Sequence, residues 1–182
     1  MKPLSEMTLQ ELWDLFPISL SEHKSCWADW YADEAALLKN ILPFDCVCHH
    51  VGSTAVKDIM AKPIIDILIE FNSVEELSSV ANILENAGYI VMATTNGRIS
   101  LNKGYTSAGF AERVFHLHLR LSGDADEVYF KDFLNAHPDA AREYEKLKLK
   151  LAKEYERNRD AYTEAKGDFV KKYTQIAKQK SI

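Results

Sequence analysis

Cysteine is scarce in this chain: three residues, Cys26, Cys46 and Cys48, in 182. So low, odd and irregular a set excludes a disulfide scaffold. On a strand, Cys46, Cys48 and His50 would share one face, but a Cys-x-Cys-x-His metal site would still lack an apparent fourth ligand, and free buried thiols are the expected state. Long apolar runs are missing as well. No segment nears the roughly 20 residues that cross a bilayer, and the N-terminus "MKPLSEMTLQELWDLF" has no signal-type apolar core. A cytoplasmic protein is expected, with no membrane partner. Nor is there an excess of basic charge: 22 Lys and Arg stand against 27 Asp and Glu, a formal net charge of -5. Large nucleic acids need a basic surface and are not expected partners. A local basic pocket for a small phosphate compound is compatible with that total. Repeats and low-complexity segments are absent.

What is present suits one domain able to bury a core without staples. Three stretches are expected: an N-terminal helical segment over 1–44, a sheet core over 45–122 and C-terminal helices over 123–182. "SLSEHKSCWADWYADEAALLKNIL" carries apolar residues at helical spacing; Ser19 with Glu22 fits a capping box, and Pro43 ends the helix. "CVCHHV" and "KPIIDILIEF" read as strands, the second buried on both faces. "SVEELSSVANILENAGY" reads as one helix capped by Ser73 and Glu76. "YIVMATT" and "RISLNKG" read as strands around an Asn96-Gly97 turn, "NKGYTSAGFAE" as a mobile loop, and "RVFHLHLRL" as a strand with His116, His118 and Arg120 on one face. Pro138 fits a first helical turn, and stripes through Tyr144, Leu147, Leu151 and Tyr155, then Phe169, Tyr173 and Ile176, complete an α+β pattern with a mixed sheet and a helical C-terminal part.

The chemistry gathers in "HHVGSTAVKDIMAKPIIDILIE", residues 49–70. An apolar strand runs into Gly52, Ser53 and Thr54, and one carboxylate, Asp66, sits in the next apolar strand. Gly52 permits close backbone approach. Ser53 and Thr54 offer hydroxyls beside free backbone N–H groups, and a short helix beginning there would point those groups at a phosphate. A carboxylate beside a phosphate cradle suits a magnesium-bound nucleotide. The plain alternative is a turn, with Asp66 capping a helix or pairing with Lys62. Lys62 itself would neutralise phosphate or pair with Asp66. Arg98, Lys103 and Arg113 flank the expected loop as candidates for triphosphate contact, or as ordinary surface charge.

"HVGSTAVKDIMAKPIIDI", "FHLHLR", "FKDFLNAHPDAAREYEKLKLKLA" and "YTEAKGDFV" together resemble the GrpB family, also called UPF0157, from about residue 45 to the last helix. The resemblance implies the nucleotidyltransferase fold of the polymerase-β superfamily. Its motif is a Gly-Ser turn followed by a strand bearing Asp-x-Asp or Asp-x-Glu. Gly52 and Ser53 match the turn and Asp66 the first carboxylate. Leu68 departs at the second, with Glu70 about 6.6 Å further along at roughly 3.3 Å per residue. Asp66, His116 and His118 are then the expected catalytic and metal-holding residues, with His50 as a fourth metal contact and Gly52, Ser53, Thr54, Lys62 and Arg113 on phosphate. Tyr162, Lys166 and Asp168 match the C-terminal motif, expected to pack the last helix, with Lys166 within reach of a ligand. Three readings follow. One is a nucleotidyltransferase dependent on Mg²⁺ or Mn²⁺ that acts on a small-molecule or protein acceptor. Another is a non-catalytic nucleotide-binding, phosphate-binding or interaction domain. The last is a hydrolase using zinc or another imidazole-accepting metal. All three bring Gly52, Asp66 and His116 together.

Overall fold

The computed structural model describes residues 2–43 and 45–180; the expected boundary at residue 44 lies outside them. Five strands form one mixed sheet in the order β1-β2-β5-β4-β3. These are β1 (Val47–Val51), β2 (Ile65–Phe71), β3 (Ile90–Thr95), β4 (Arg98–Thr106) and β5 (Gly109–Leu121). β2 runs parallel to β5, and every other pairing is antiparallel.

Alternation divides the sheet into two unlike faces. Ile65, Ile67, Ile69 and Phe71 of β2 join Phe115, Leu117 and Leu119 of β5 and Ile99 and Leu101 of β4 on the apolar face. Against it lie Trp27 and Leu38 of α2 (Cys26–Ile41), Leu77 of α3 (Val74–Ser79) and Leu84 of α4 (Ala81–Asn86). Fully burying each such side chain stabilises by about 1.5–3 kcal/mol. The opposite face carries Asp66, Leu68 and Glu70 beside His116, His118 and Arg120. Four C-terminal helices stand on that side: α5 (Asp126–Ala136), α6 (Pro138–Glu154), α7 (Arg159–Glu164) and α8 (Gly167–Lys180). Phe130, Phe133, Leu134, Tyr144 and Phe169 form their core. Ahead of α2, the helix α1 (Leu9–Leu15) is opened by a Thr8–Glu11 capping box.

Several local expectations change. The Ser19–Glu22 box is not used, because Ser21 pairs with Ala61 as an isolated bridge and α2 starts at Cys26. The single helix expected over 73–89 breaks at Val80, the C-cap of α3 and the N-cap of α4. The expected loop over 102–112 is a hairpin: β4 and β5 continue to Thr106 and Gly109. Its sequence lacks the apolar alternation that marks a strand, and pairing with a long neighbour overrides that weak local signal.

Candidate functional site

Register builds the site. Pairing sets Val51 and His116 on either side of Asp66, and Leu68 beside His118. Directly after β1, Gly52 adopts φ 71° and ψ -170°, a combination essentially reserved for glycine. The turn closes against the carboxylate: a Cβ at position 52 would lie 2.2 Å from Asp66 Oδ2. Ser53–Ala55 then form one 3₁₀ turn rather than an α-helix. Gly52, Ser53, Lys62, Asp66, His116 and His118 all line one cleft.

Polar contacts fix the carboxylate. His118 Nε2 lies 3.0 Å from Asp66 Oδ1 and His116 Nδ1 lies 3.5 Å from the same oxygen. Behind His118, Arg120 Nη2 reaches its Nδ1 at 3.4 Å and donates to Glu127 at 3.0 Å. Behind His116, Nε2 lies 2.8 Å from the Tyr105 hydroxyl, which accepts from Arg159 at 2.8 Å. A bulge between Lys103 and Tyr105 interrupts the β4 register next to this contact; bulges re-aim side chains in this way. Burial alone would raise the Asp66 carboxyl, but the His116 and His118 contacts outweigh it and hold the group well below the usual carboxylate range. Burial lowers His116, partly opposed by Asp66.

The cleft has a volume of about 880 Å³, within the range of small-molecule pockets. Lys62, Lys148, Arg159 and Lys166 line it, and among the described residues none of the four is within ion-pair distance of a carboxylate. The ring of Tyr162 lies beside Lys62 and Lys166, at 5.3 and 4.2 Å from its centroid. Lys148 donates to the carbonyl of Met60. Burial first, then repulsion from Arg159 and Lys166, pushes Lys62 down to about 7. Burial and Lys166 bring Lys148 to about 7. Burial also leads at Lys166, lowered to about 8 with Asp66 opposing and Arg159 assisting. Tyr144 is pushed up to about 12 by burial, with Ser53 opposing. Thr174, 5% exposed and also on the cleft wall, has no partner for its hydroxyl among the described residues. Val56, Phe130, Leu134 and Val170 supply an apolar wall.

Other expected site residues are placed elsewhere. His50 pairs in register with Ile67, so it occupies the face opposite Asp66, stacked on Tyr31 at 4.7 Å. Its ring nitrogen meets Thr54, whose hydroxyl donates to the Ile64 carbonyl, so both are engaged beneath the turn. Arg113 is exposed and pairs with Asp33 at 2.9 Å; Lys103 pairs with Glu34 at 2.8 Å. Arg98 reaches the cleft wall but is held bidentately by Asp124. Tyr162 and Lys166 line the cleft, and Asp168 is exposed on α8. The sequence reading missed Tyr105, Tyr144, Lys148 and Arg159. Lys148 carried a signal, being a lysine at i+4 from Tyr144 inside the apolar stripe; Arg159 carried none.

The donor set does not fit a metal pair. Position 68, where the second carboxylate would stand, is a fully buried leucine packed with Val51 and Ala125. Glu70 is taken up by His49 at 3.1 Å and the Gly123 amide at 3.0 Å. Among the described residues no group of three or more His, Cys, Asp or Glu side chains is arranged to hold a metal ion. No helix there is long and apolar enough to cross a membrane.

Comparison with known proteins agrees with this geometry. Residues 17–176 match the family described as "GrpB protein". The UPF0157 protein YqkA of Bacillus subtilis is 30% identical over 94% of this chain, which spans 51% of that protein's length. The glutamate-rich protein GrpB of Alkalihalophilus pseudofirmus is 32% identical, with 84% of this chain and 91% of that one covered. The crystal structure of GrpB from Enterococcus faecalis superposes with a TM-score of 0.77 at 30% identity, covering 90% of this chain and 99% of that chain. Cid1 in complex with its short product ApU gives 0.50 at 10% identity over 78% of this chain and 43% of that chain, a likeness of fold alone. The fold is nucleotidyltransferase-like, and the chain belongs to the GrpB family.

Proposed function

We propose that the cleft binds a small phosphate compound of nucleotide size, with Lys62, Lys166, Arg159 and the Gly52–Ser53 turn on the phosphates. The observation that carries this reading is the convergence on one cavity of four basic side chains that have no ion-pair partner among the described residues, while of the carboxylates lining it Asp66 is already met by two imidazoles, Glu127 by Arg120 and Asp126 by Lys178. Buried cations lower stability unless an anion joins them, and arginine and lysine are the usual phosphate donors. The apolar wall gives a base or another organic body a place to lie. Because the chain carries a net charge of -5, a small ligand suits the local basic site better than a polynucleotide.

Metal-dependent nucleotidyl transfer to a small-molecule or protein acceptor is the second reading. The Gly52–Ser53 turn directly beside Asp66 on a nucleotidyltransferase-like fold favours it. Calorimetric titration separates the two. ATP, CTP, GTP and UTP are each titrated with Mg²⁺, with Mn²⁺ and with EDTA into the wild type, Asp66→Ala and Lys62→Ala/Lys166→Ala. Binding in EDTA that the double lysine variant loses supports phosphate capture. Binding that needs the metal and vanishes in Asp66→Ala supports transfer chemistry. No binding of any nucleotide, or of inorganic pyrophosphate, under all conditions refutes both.

A further inference from the structure

Three candidates stand outside the reading above. The Cys46–Cys48 pair, with sulfurs 4.0 Å apart, belongs to no group of three or more metal-ligating side chains among the described residues. The edge strand β3 exposes Ile90 and Met92, and nothing shows what would cover it. The hydrogen-bond chains behind the two histidines carry an argument further.

We infer that Asp66 is a closed carboxylate: the donors behind His116 and His118 fix both rings in the tautomer that turns an N–H toward it, leaving the cleft to take its phosphate compound as the free anion rather than as a metal chelate. Arginine has five N–H donors and no acceptor. Arg120 Nη2 approaches His118 Nδ1 at 3.4 Å, so that nitrogen presents a lone pair and the ring proton sits on Nε2, 3.0 Å from Asp66 Oδ1. Glu127 holds Arg120 in place at 3.0 Å. The other side mirrors this. Arg159 donates to the Tyr105 oxygen, leaving the phenolic proton for His116 Nε2 at 2.8 Å. His116 Nδ1 then carries its proton toward the same Asp66 oxygen at 3.5 Å. His118 Nε2 lies within hydrogen-bond distance of Oδ1, His116 Nδ1 stands 3.5 Å from the same oxygen, and the Gly52 turn packs against Oδ2. Imidazoles with N–H groups facing the carboxylate have no lone pair to share with a metal bound to it, since a ligating nitrogen must be unprotonated. Arg120 and Tyr105 are positioning residues in this arrangement; they act through the histidines.

The statement about the ligand rests on the phosphate reading of the cleft; the statement about the closed carboxylate does not. Long-range ¹H–¹⁵N correlation on the full chain labelled with ¹⁵N-histidine, at pH 7.5 without ligand, reads the tautomers directly. Expected are protonated Nε2 with pyridine-like Nδ1 at His118, and the reverse at His116. Arg120→Met releases His118 into a tautomer mixture, and Arg120→Lys, which keeps a donor, restores the wild-type pattern. Mn²⁺ added to 1 mM-scale concentrations leaves the two histidine signals without selective broadening. A His118 protonated at Nδ1 in the wild type overturns the inference, as does selective Mn²⁺ broadening of His116 and His118 that Asp66→Asn abolishes. ATP added in EDTA forms a separate arm. Shifts at His116 support free-anion binding. Absence of any shift with ATP or pyrophosphate, with or without Mn²⁺, sinks the phosphate reading while the tautomer pattern still decides the closed carboxylate.

Discussion

Replacing Gly52 by alanine tests how the turn and the carboxylate fit together. Two separate penalties act there. At φ 71° and ψ -170° a side chain is strained whatever the space around it, at about 1–3 kcal/mol. The new Cβ would also lie 2.2 Å from Asp66 Oδ2 and 2.8 Å from its Cγ. The carboxylate cannot swing aside freely, because Oδ1 is held by His118 at 3.0 Å. Moving it sacrifices a charge-assisted hydrogen bond worth about 1.5–3 kcal/mol. Together these give a loss of roughly 2.5–6 kcal/mol, and at about 2–4 °C per kcal/mol for a chain of this size the midpoint should fall by about 5–24 °C. Gly88→Ala is the internal control. Its φ is +89°, but nothing lies within 4 Å of a Cβ there, so only conformational strain acts. Thermal unfolding followed by circular dichroism compares the two. The cycle with Asp66→Ala isolates the contact: the double variant should be more stable than the sum of the single losses predicts. A Gly52→Ala midpoint no lower than that of Gly88→Ala, or strict additivity in the cycle, would refute this account of the turn.

Stability should rise with pH between about 7 and 9.5. Lys62 and Lys148 titrate near 7 and Lys166 near 8 when folded, against an ordinary 10.5. In that window the unfolded chain binds more protons, which makes the slope of stability with pH positive. A flat or falling melting midpoint over the window contradicts the burial of these amines, and saturating pyrophosphate should flatten the rise. Leu68→Asp should cost at least about 3 kcal/mol by burying an unpaired charge, more than Leu68→Ala, with part of the loss recovered at acid pH. Restoration of its denaturant midpoint by Mg²⁺ would show that a metal pair can form after all. In calorimetry, Arg159→Ala should weaken nucleotide binding by about 10-fold or more, since a lost charged hydrogen bond is worth about 1.5–3 kcal/mol. Arg113→Ala should leave it unchanged; equal losses in the two variants would misplace the cleft.

Local signals made much of the architecture readable. Alternation in "FHLHLRL" put His116 and His118 on one face, and the Gly-Ser turn with Asp66 marked the neighbouring strands. What failed was information that exists only between distant segments. His49 and His50 alternate, so the sequence says that one of them shares Asp66's face. The pairing of Val51 with Asp66 decides that it is His49, which is then bound by Glu70. Leu68 is a departure from the motif when read along the strand. In the fold it is a core residue, because α5 lays Ala125 over it. The two arms of the hairpin over 98–121 were legible as strands; its tip was hidden because its composition is loop-like, and only pairing between β4 and β5 makes it strand.

The cations show the same limit from the other side. Lys62 precedes β2, Lys148 is in α6, Arg159 opens α7 and Lys166 leads into α8. Lys62 stands far from the other three in sequence, and a chain with net charge -5 gives no hint that they meet. Lys62 and Lys166 were marked by their motifs and Lys148 by the apolar stripe, but nothing marked Arg159 or showed that the four meet. Burial first, and then repulsion among them, lowers Lys62 and Lys148. Burying like charges around a cavity is a local electrostatic cost in the empty protein, and such conflicts mark functional sites more often than scaffolding. An anion that binds only the folded form turns that cost into a binding term: it stabilises by RT ln(1 + [L]/Kd), which is about 2.7 kcal/mol at 100 times Kd. The repulsion that weakens the empty cleft is therefore the same quantity that selects its ligand by charge.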